Sequence, residues 1–130
     1  MRIGDGSGPE PAFELYRSLI NSHDFSLLEE HVVDGSITCV FGQQVHRGLA
    51  AVRTEFERAW LELPDEHYEM SDAEWLIVGS ETAVALFDYR FAGNDRQGKR
   101  VVGKGRGTNV YRLTPHGWRL AHEHLSPDLS

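Results

Sequence analysis

The order of the predicted elements indicates an α+β domain whose sheet is mainly antiparallel. Helical patterns and two short strand patterns fill the first half of the 130-residue chain, and four long strand patterns fill the second half. Turn sequences rich in glycine, asparagine, aspartate and proline join the long strands, as they do in consecutive β-hairpins. Helices followed by a strand meander are typical of α+β proteins. The length fits one domain that buries a core without disulfides.

Three stretches have helical periodicity. The apolar residues of AFELYRSLINSHD share one face, which contains Phe13, Tyr16, Leu19 and Ile20. The stretch DFSLLEEHV predicts a shorter helix with Asp24 as its N-cap. The clearest helix is LAAVRTEFERAWLEL, which Pro64 ends and whose apolar stripe contains Leu49, Val52, Phe56, Ala59, Trp60 and Leu63.

Six stretches have the composition of strands. The stretch GSITCVFG is rich in β-branched residues, and QQVHRG is expected to return antiparallel to it. The four long strands are predicted in HYEMSDAEWLIVGS, TAVALFDYRFAG, KRVVGKGRGTNVYRLT and WRLAHEHLS. Four consecutive strands joined by turns predict a meander in the second half of the chain.

Composition and charge argue against several partners. A formal net charge of −7 does not favour binding to the phosphates of nucleic acids. No apolar run approaches the roughly 18–20 residues that span a bilayer, and the N-terminus lacks the apolar core of a signal peptide. The single cysteine, Cys39, excludes an internal disulfide and suits a reducing compartment, so we expect a cytoplasmic protein. From the charge and the lack of a long apolar run we expect neither nucleic acid nor a membrane as a partner.

The domain is expected to occupy residues 12–127. Residues 1–11 contain three glycines and two prolines, and we expect this segment to be flexible.

The C-terminal stretch GWRLAHEHLSPDLS contains two histidines separated by one residue. Strand alternation places His122 and His124 on one face and Glu123 on the other. A zinc site needs three or four ligands, so a neighbouring strand would have to supply another, such as Asp88. We therefore expect no metal here, and histidines that bond to Arg106, Thr108, Asp88 or a partner subunit.

The stretches LYRSLINSHDFSLLEEHV, DGSITCVFGQQVHRGLAAVRTEF and GRGTNVYRLTPHGWRLAHEHLS together resemble the nuclear transport factor 2-like superfamily, in its SnoaL-like branch. The resemblance covers roughly residues 11–126, and the ending is also similar to the association domain of calcium/calmodulin-dependent kinase. It implies a cystatin-like, cone-shaped and strongly curved antiparallel-rich sheet, wrapped around the N-terminal helices and one long helix. It also implies an apolar pocket and a homodimer or larger assembly. The superfamily contains isomerases, cyclases, dehydratases and proteins without catalysis.

The same resemblance implies which side chains face the pocket. On the last strand they are on the side of Glu123, and on the two preceding strands they include Phe87, Tyr89, Asn109 and Tyr111. Three glycines share this face, and they indicate close packing or a sharp bend that also leaves room for a ligand: Gly103, Gly105 and Gly107. In an apolar pocket the pKa of Glu123 would be raised, which suits a general acid or base. The alternative is a buried ion pair with Arg119 or another arginine.

The ketosteroid isomerases of this superfamily use an aspartate base, with a tyrosine and a protonated acid that bind the enolate oxygen. The resemblance places Tyr16 at the tyrosine and Asn109 at the protonated acid, and an amide also donates hydrogen bonds. Cys39 occupies the position of the base, where a thiol with a pKa near 8.5 is inefficient at neutral pH. Steroid isomerisation by that route is therefore not expected, and Tyr16 and Cys39 have an alternative interpretation as core residues.

Two functions remain open. The first is a cofactor-independent isomerase, cyclase or dehydratase of a hydrophobic carbonyl compound, in which Tyr16 and Asn109 hold the oxyanion. Glu123, or one of the histidines near the expected mouth (His46, His67), would move the proton. The expected ligand-binding residues are Cys39, Phe56, Trp60, Phe87, Tyr89 and Tyr111. The second function is a non-catalytic dimeric module for ligand binding or self-association. No cofactor is expected, because GKGRGTN lies within a strand pattern and does not lead into a helix.

The face of the sheet opposite the pocket also carries apolar side chains, which a second copy of the chain would bury. We expect a homodimer built on Val84, Leu86, Val102, Val110, Trp118 and Leu120.

Overall fold

The computed structural model describes residues 8–129, which form an α+β domain as predicted. The helices are α1 (Glu10–Leu19), α2 (Phe25–His31) and α3 (Leu49–Glu62), and a 3₁₀ turn (Ile20–Ser22) follows α1. The strands are β1 (Val33–Phe41), β2 (Gln44–Arg47), β3 (His67–Val78), β4 (Thr82–Asn94), β5 (Arg100–Thr114) and β6 (Gly117–Pro127). Every helix and strand predicted from the sequence is present among these residues.

The helix boundaries follow from local signals. Asp24 Oδ1 accepts a hydrogen bond from the backbone N–H of Ser26 over 3.0 Å and caps α2, as predicted. Helix α1 begins at Glu10, with Pro11 in its first turn, where the missing N–H leaves no intrahelical bond unmade.

Residues 1–7, which make up most of the segment expected to be flexible, lie outside the described residues. No helix within residues 8–129 is long and apolar enough to cross a membrane.

Within the described residues the six strands form one sheet, in the order β2-β1-β6-β5-β4-β3. The predicted antiparallel return of β2 on β1 and the meander from β3 to β6 are both present. Strands β1 and β6 pair in parallel. This pairing places the C-terminal strand inside the sheet, between β1 and β5, and its inward side chains therefore reach the core.

One apolar core lies between the helices and one face of the sheet. The stripe predicted on α3 is buried through Val52, Phe56 and Trp60. Among the described residues only two buried side chains are polar or charged, Asn109 and Glu123.

A β-bulge in β6 changes which of its side chains face the core. Tyr111 pairs with Leu120, whereas the preceding residue of β5, Val110, pairs with His122, so β6 has one extra residue at this point. The prediction that Leu120 lies on the outer face with His122 is wrong, because Leu120 is fully buried. Trp118, expected on the same outer face, also packs against the core.

Candidate functional site

The candidate site is built around Glu123, whose side chain points from β6 into the core and is 1% exposed. Its backbone lies between those of Cys39 in β1 and Asn109 in β5, the residues paired with it on either side. Glu123 lies beyond the bulge and on the inner face, which is the face that the family resemblance implied. A carboxyl group in such a core needs hydrogen-bond partners.

Two uncharged donors hold the Glu123 carboxyl group. Tyr16 Oη, from α1, donates to Oε1 over 2.8 Å. Asn109 Nδ2 donates to Oε2 over 3.0 Å, in the amide orientation in which its Oδ1 accepts from Tyr111 Oη over 3.2 Å. These four residues form a continuous buried chain of hydrogen bonds. In the described residues the Glu123 carboxyl group therefore bonds to these two donors and does not form the ion pair with an arginine that was considered from the sequence.

The environment adjusts the protonation of these groups. Burial raises the pKa of Glu123 to about 7, because desolvation penalises the carboxylate, and the hydrogen bonds from Tyr16 and Asn109 oppose this rise. At neutral pH Glu123 therefore populates both protonation states, as a general acid or base requires. Burial and the nearby charge of Glu123 raise the pKa of Tyr16, which stays a neutral donor. The same two causes raise the pKa of Cys39 and leave its thiol protonated.

A cavity of about 570 Å³ reaches Glu123 and Tyr16 from the surface. Exposed residues also border it, including Arg58 and Pro127, so it opens to solvent on their side. Its walls are mainly apolar. A cavity of this size and lining is typical of sites for small molecules.

Three further residues proposed from the sequence lie in the cavity wall: Phe56, Trp60 and Tyr89. The rings of Phe56 and Trp60 contact edge to face, with their centroids 5.7 Å apart. Helix α3 and strand β4 thus supply the aromatic part of the wall.

Four other residues proposed from the sequence are buried but do not line the cavity: Cys39, Phe87, Asn109 and Tyr111. The ring of Phe13 in α1 contacts that of Phe87, with 5.6 Å between the centroids. The ring of Trp75 in β3 contacts that of Tyr111 at the same centroid distance of 5.6 Å. Asn109 therefore reaches the cavity only through its hydrogen bond to Glu123.

Aromatic rings occupy the space above the glycines of β5. Gly103, Gly105 and Gly107 pair with Phe91, Tyr89 and Phe87 of β4. A Cβ atom at Gly105 would fall 2.7 Å from Tyr89 Oη, and one at Gly103 would fall 2.5 Å from the ring of Phe91. The glycines thus let the rings of β4 lie across the inner face, and they do not themselves leave room for a ligand.

The polar residues of the cavity wall that sequence reasoning missed include Glu66 and Tyr68. Asn21 holds this segment, since its Nδ2 donates to the Tyr68 carbonyl over 2.9 Å and its Oδ1 accepts from the Tyr68 N–H over 2.8 Å. Burial raises the pKa of Glu66 to about 7. Alternation in the stretch HYEM puts Tyr68 and Met70 on one face, which is a usable signal, but no pattern indicates that Glu66 turns inward.

The two histidines expected near the mouth do not line this cavity. His46 Nε2 lies 4.0 Å from Glu55 Oε1, and His67 is exposed at the start of β3. Neither histidine is placed to exchange a proton with a ligand in the cavity.

The histidine pair of β6 lies on the outer face of the sheet. Burial, and then the nearby His124, lower the pKa of His122. Arg106 and Asp88, expected as partners of these histidines, instead pair with each other, with Nε and Oδ1 3.3 Å apart. Within residues 8–129 no three His, Cys, Asp or Glu side chains are grouped as ligands of a metal ion.

Solved structures of other proteins have a similar fold. A nuclear transport factor 2-like superfamily protein from Salmonella enterica has a similar structure, with a TM-score of 0.82 and 19% identity, over 92% of this chain and 88% of that chain. A proposed dehydratase of the same family from Streptomyces avermitilis has a TM-score of 0.80 and 21% identity, over 98% of each chain. The association domain of the C. elegans kinase CaMKII has a TM-score of 0.68 and 19% identity, over 89% of this chain and 90% of that chain.

These similarities concern the fold, since the identities are low. No curated protein matches the chain by sequence. The family model for the SnoaL-like domain matches residues 10–130, nearly the whole chain. The chain therefore belongs to the SnoaL-like domain family.

Proposed function

We propose that this protein binds a hydrophobic carbonyl compound and catalyses a cofactor-independent acid–base reaction on it, as an isomerase, cyclase or dehydratase. The observation that carries the proposal is the carboxyl group of Glu123, which is buried and held by two neutral donors on a residue that lines a mainly apolar cavity. A pKa of about 7 lets this group accept and return a proton near neutral pH.

The proposed chemistry begins with proton transfer from carbon. Glu123, ionised, removes a proton from the carbon next to the carbonyl group, and the electrons of the C–H bond form the C=C bond of an enolate. Protonated Glu123 then returns the proton to a carbon or to a leaving oxygen. Tyr16 and Asn109 act as positioning residues in this scheme, because their hydrogen bonds fix the carboxyl group rather than the ligand. Cys39 does not compete as the base, since burial raises its pKa and keeps the thiol neutral.

A non-catalytic dimeric module is the second candidate function. Its support is the apolar row on the outer face of the sheet, where the partly exposed Val84 pairs with Ile77 on one side and Val110 on the other. In that case the cavity would bind a ligand without turnover, or the fold would serve association alone.

A hydrogen-exchange assay separates the two functions without knowledge of the substrate. Hydrophobic cyclic ketones, such as 2-tetralone and 2-cyclohexenone, are incubated with the protein in D₂O, and deuterium at the α-carbon is followed by NMR. Catalysis predicts faster exchange than in buffer, and Glu123→Gln should reduce the enzyme-dependent rate on the order of a hundredfold. Glu69→Gln is the matched control, since Glu69 is exposed on β3. Binding without exchange would favour the non-catalytic function.

A further inference from the structure

Tyr68 brings an unused hydrogen-bonding group to the cavity. Among the described residues two buried side-chain polar atoms have no partner, His46 Nε2 and Tyr68 Oη. Of these two residues, Tyr68 lines the cavity and His46 does not. Buried polar groups are nearly always hydrogen-bonded in folded proteins. An unpaired hydroxyl on a residue of the cavity wall therefore marks a position where a ligand atom or a water molecule completes the bonding.

The Tyr68 side chain is held firmly. Its ring stacks on that of Tyr89, with the centroids 5.7 Å apart and an angle of 12° between the planes. Its backbone N–H and carbonyl are both bonded to the Asn21 side chain. A donor that is fixed before the ligand arrives loses little conformational freedom on binding, and it is best suited to stabilise charge that develops on the ligand.

Electrostatics keep this hydroxyl in its donating form. Burial raises the pKa of Tyr68, and the nearby charges of Glu123 and Glu66 raise it further, so the phenol stays protonated at neutral pH. Both carboxyl groups line the same cavity. The donors expected from the sequence to bind a ligand oxygen, Tyr16 and Asn109, already bond to Glu123. Among the tyrosines of the described wall, Tyr68 is thus the one whose hydroxyl oxygen is both buried and without a partner.

We propose that Tyr68 binds the carbonyl oxygen of the ligand and that it, rather than Tyr16 and Asn109, stabilises the oxyanion. This inference rests on the proposed function and assigns a second reacting position to its site. When Glu123 takes a proton from the α-carbon, the C–H electron pair forms the C=C bond and the carbonyl π pair moves onto the oxygen. The hydrogen bond from Tyr68 strengthens as that oxygen gains charge, and return of the proton from Glu123 to carbon reverses both shifts.

A pair of matched probes tests this assignment by binding alone. The ketone 2-acetylnaphthalene and the hydrocarbon 2-ethylnaphthalene have similar size and apolar surface, but only the ketone accepts a hydrogen bond. Fluorescence titration of the wild-type protein should give about tenfold tighter binding of the ketone. Tyr68→Phe should reduce that preference to about twofold or less, with hydrocarbon binding unchanged. Tyr16→Phe, which removes a hydroxyl already bonded to Glu123, should keep the preference.

The outcomes separate this inference from the proposed function. If Tyr68→Phe keeps the preference for the ketone, or Tyr16→Phe alone abolishes it, the assignment to Tyr68 is overturned while the acid–base proposal stands. If neither probe binds the wild-type protein up to its solubility limit, both are overturned.

Thermal denaturation of the unliganded Tyr68→Phe protein tests whether the hydroxyl group serves only to stabilise the fold. Because the hydroxyl has no partner, its removal should leave Tm unchanged or raise it. A lower Tm would show that the hydroxyl stabilises the unliganded fold, and it would contradict the proposed role.

Discussion

Tyr16 and Glu123 lie 107 residues apart in the chain and share a buried hydrogen bond of 2.8 Å. The bond connects helix α1 to strand β6, so one contact joins the first helix of the described chain to its last strand. It also influences the protonation of the Glu123 carboxyl group, since the hydrogen bond lowers the pKa that burial raises. Stability and acid–base behaviour are therefore coupled in this pair.

Tyr16→Phe should raise the pKa of Glu123 above its value in the wild-type protein. The variant loses the hydrogen bond that favours the carboxylate, while desolvation remains. The free energy of unfolding should fall by about 1–2 kcal/mol. NMR titration of the side-chain carboxyl carbon measures the pKa. Tyr111→Phe is a useful comparison, because Tyr111 reaches Glu123 only through Asn109 and should change its pKa less. An equal or larger shift for Tyr111→Phe would contradict this ranking.

The free energy of unfolding should decrease as pH rises from about 5 to 8. The pKa of Glu123 is raised to about 7 in the folded state, so the folded protein binds more protons than the unfolded chain over this range. The stabilising contribution is complete below the unfolded pKa and is lost as pH rises through the folded pKa. For Glu123 the loss amounts to about 3 kcal/mol. Glu66 acts in the same direction, but its partial exposure to solvent makes its effect smaller.

Glu123→Gln should remove most of this pH dependence and leave the variant more stable than the wild-type protein at pH 8. Urea denaturation at several pH values measures the effect. Glu69→Gln, on the exposed face of β3, should keep the wild-type slope. A wild-type slope in Glu123→Gln would show that another group causes the pH dependence.

Periodicity predicted the inner positions well but not the partners of each side chain. Helical spacing placed Tyr16 on a buried face, because that pattern needs only the local sequence. Strand alternation separated Glu123 from the histidines of β6, and the family resemblance implied that the face of Glu123 and Asn109 is the inner one. Which of these polar groups bond to each other depends on the register between β5 and β6 and on the packing of α1. For that reason Tyr16 and Asn109, expected to bind a ligand oxygen, are found bonded to Glu123.

The remaining differences come from features without a sequence period. A bulge adds one residue to β6, and the side chain of Leu120 therefore lies in the core instead of on the outer face, where alternation had placed it. Glu66 lies between α3 and β3, where no alternation applies, and its inward direction follows from tertiary packing. Gly105 suggested empty space, but the cross-strand pairing with Tyr89 fills it, and that pairing is fixed only by the register of β4 and β5.

Trp60→Ala should lower the free energy of unfolding by about 3–5 kcal/mol. Trp60 is 8% exposed and packs against Phe56 and His23, with ring centroids 5.7 and 5.1 Å away. Its removal should also enlarge the cavity, which it lines. Leu61→Ala is the matched control: Leu61 is 66% exposed, and its truncation should change stability by no more than about 0.5 kcal/mol. Equal denaturation midpoints for the two variants would contradict the packing described for α3.

The purified protein should contain no stoichiometric zinc or iron, and EDTA should leave its Tm unchanged. His122 and His124 lie on the outer face, and the described residues offer no group of three ligands there or elsewhere. Elemental analysis and thermal denaturation provide the measurements. One tightly bound metal ion per chain would contradict this interpretation of the histidine pair.

The protein should form a homodimer through the outer face of the sheet. The cross-strand pairs Ile77–Val84 and Val84–Val110 form an apolar row there, and Ile77 is 59% exposed in the single chain. Val102, on the same face, is 69% exposed. Exposed apolar patches of this kind mark interaction surfaces. The apolar row does not extend to Leu120 of β6, because the bulge places that side chain in the core. The dimer should therefore depend on β3, β4 and β5.

Light scattering should give twice the chain mass of 14.7 kDa at micromolar concentration. Val84→Arg should give the single-chain mass, because it places a charge in the middle of the apolar row. Leu61→Arg, which adds the same charge on α3, should remain dimeric, and circular dichroism establishes that both variants are folded. A wild-type protein of single-chain mass would contradict the prediction. A Val84→Arg variant that stays dimeric would place the interface on another surface.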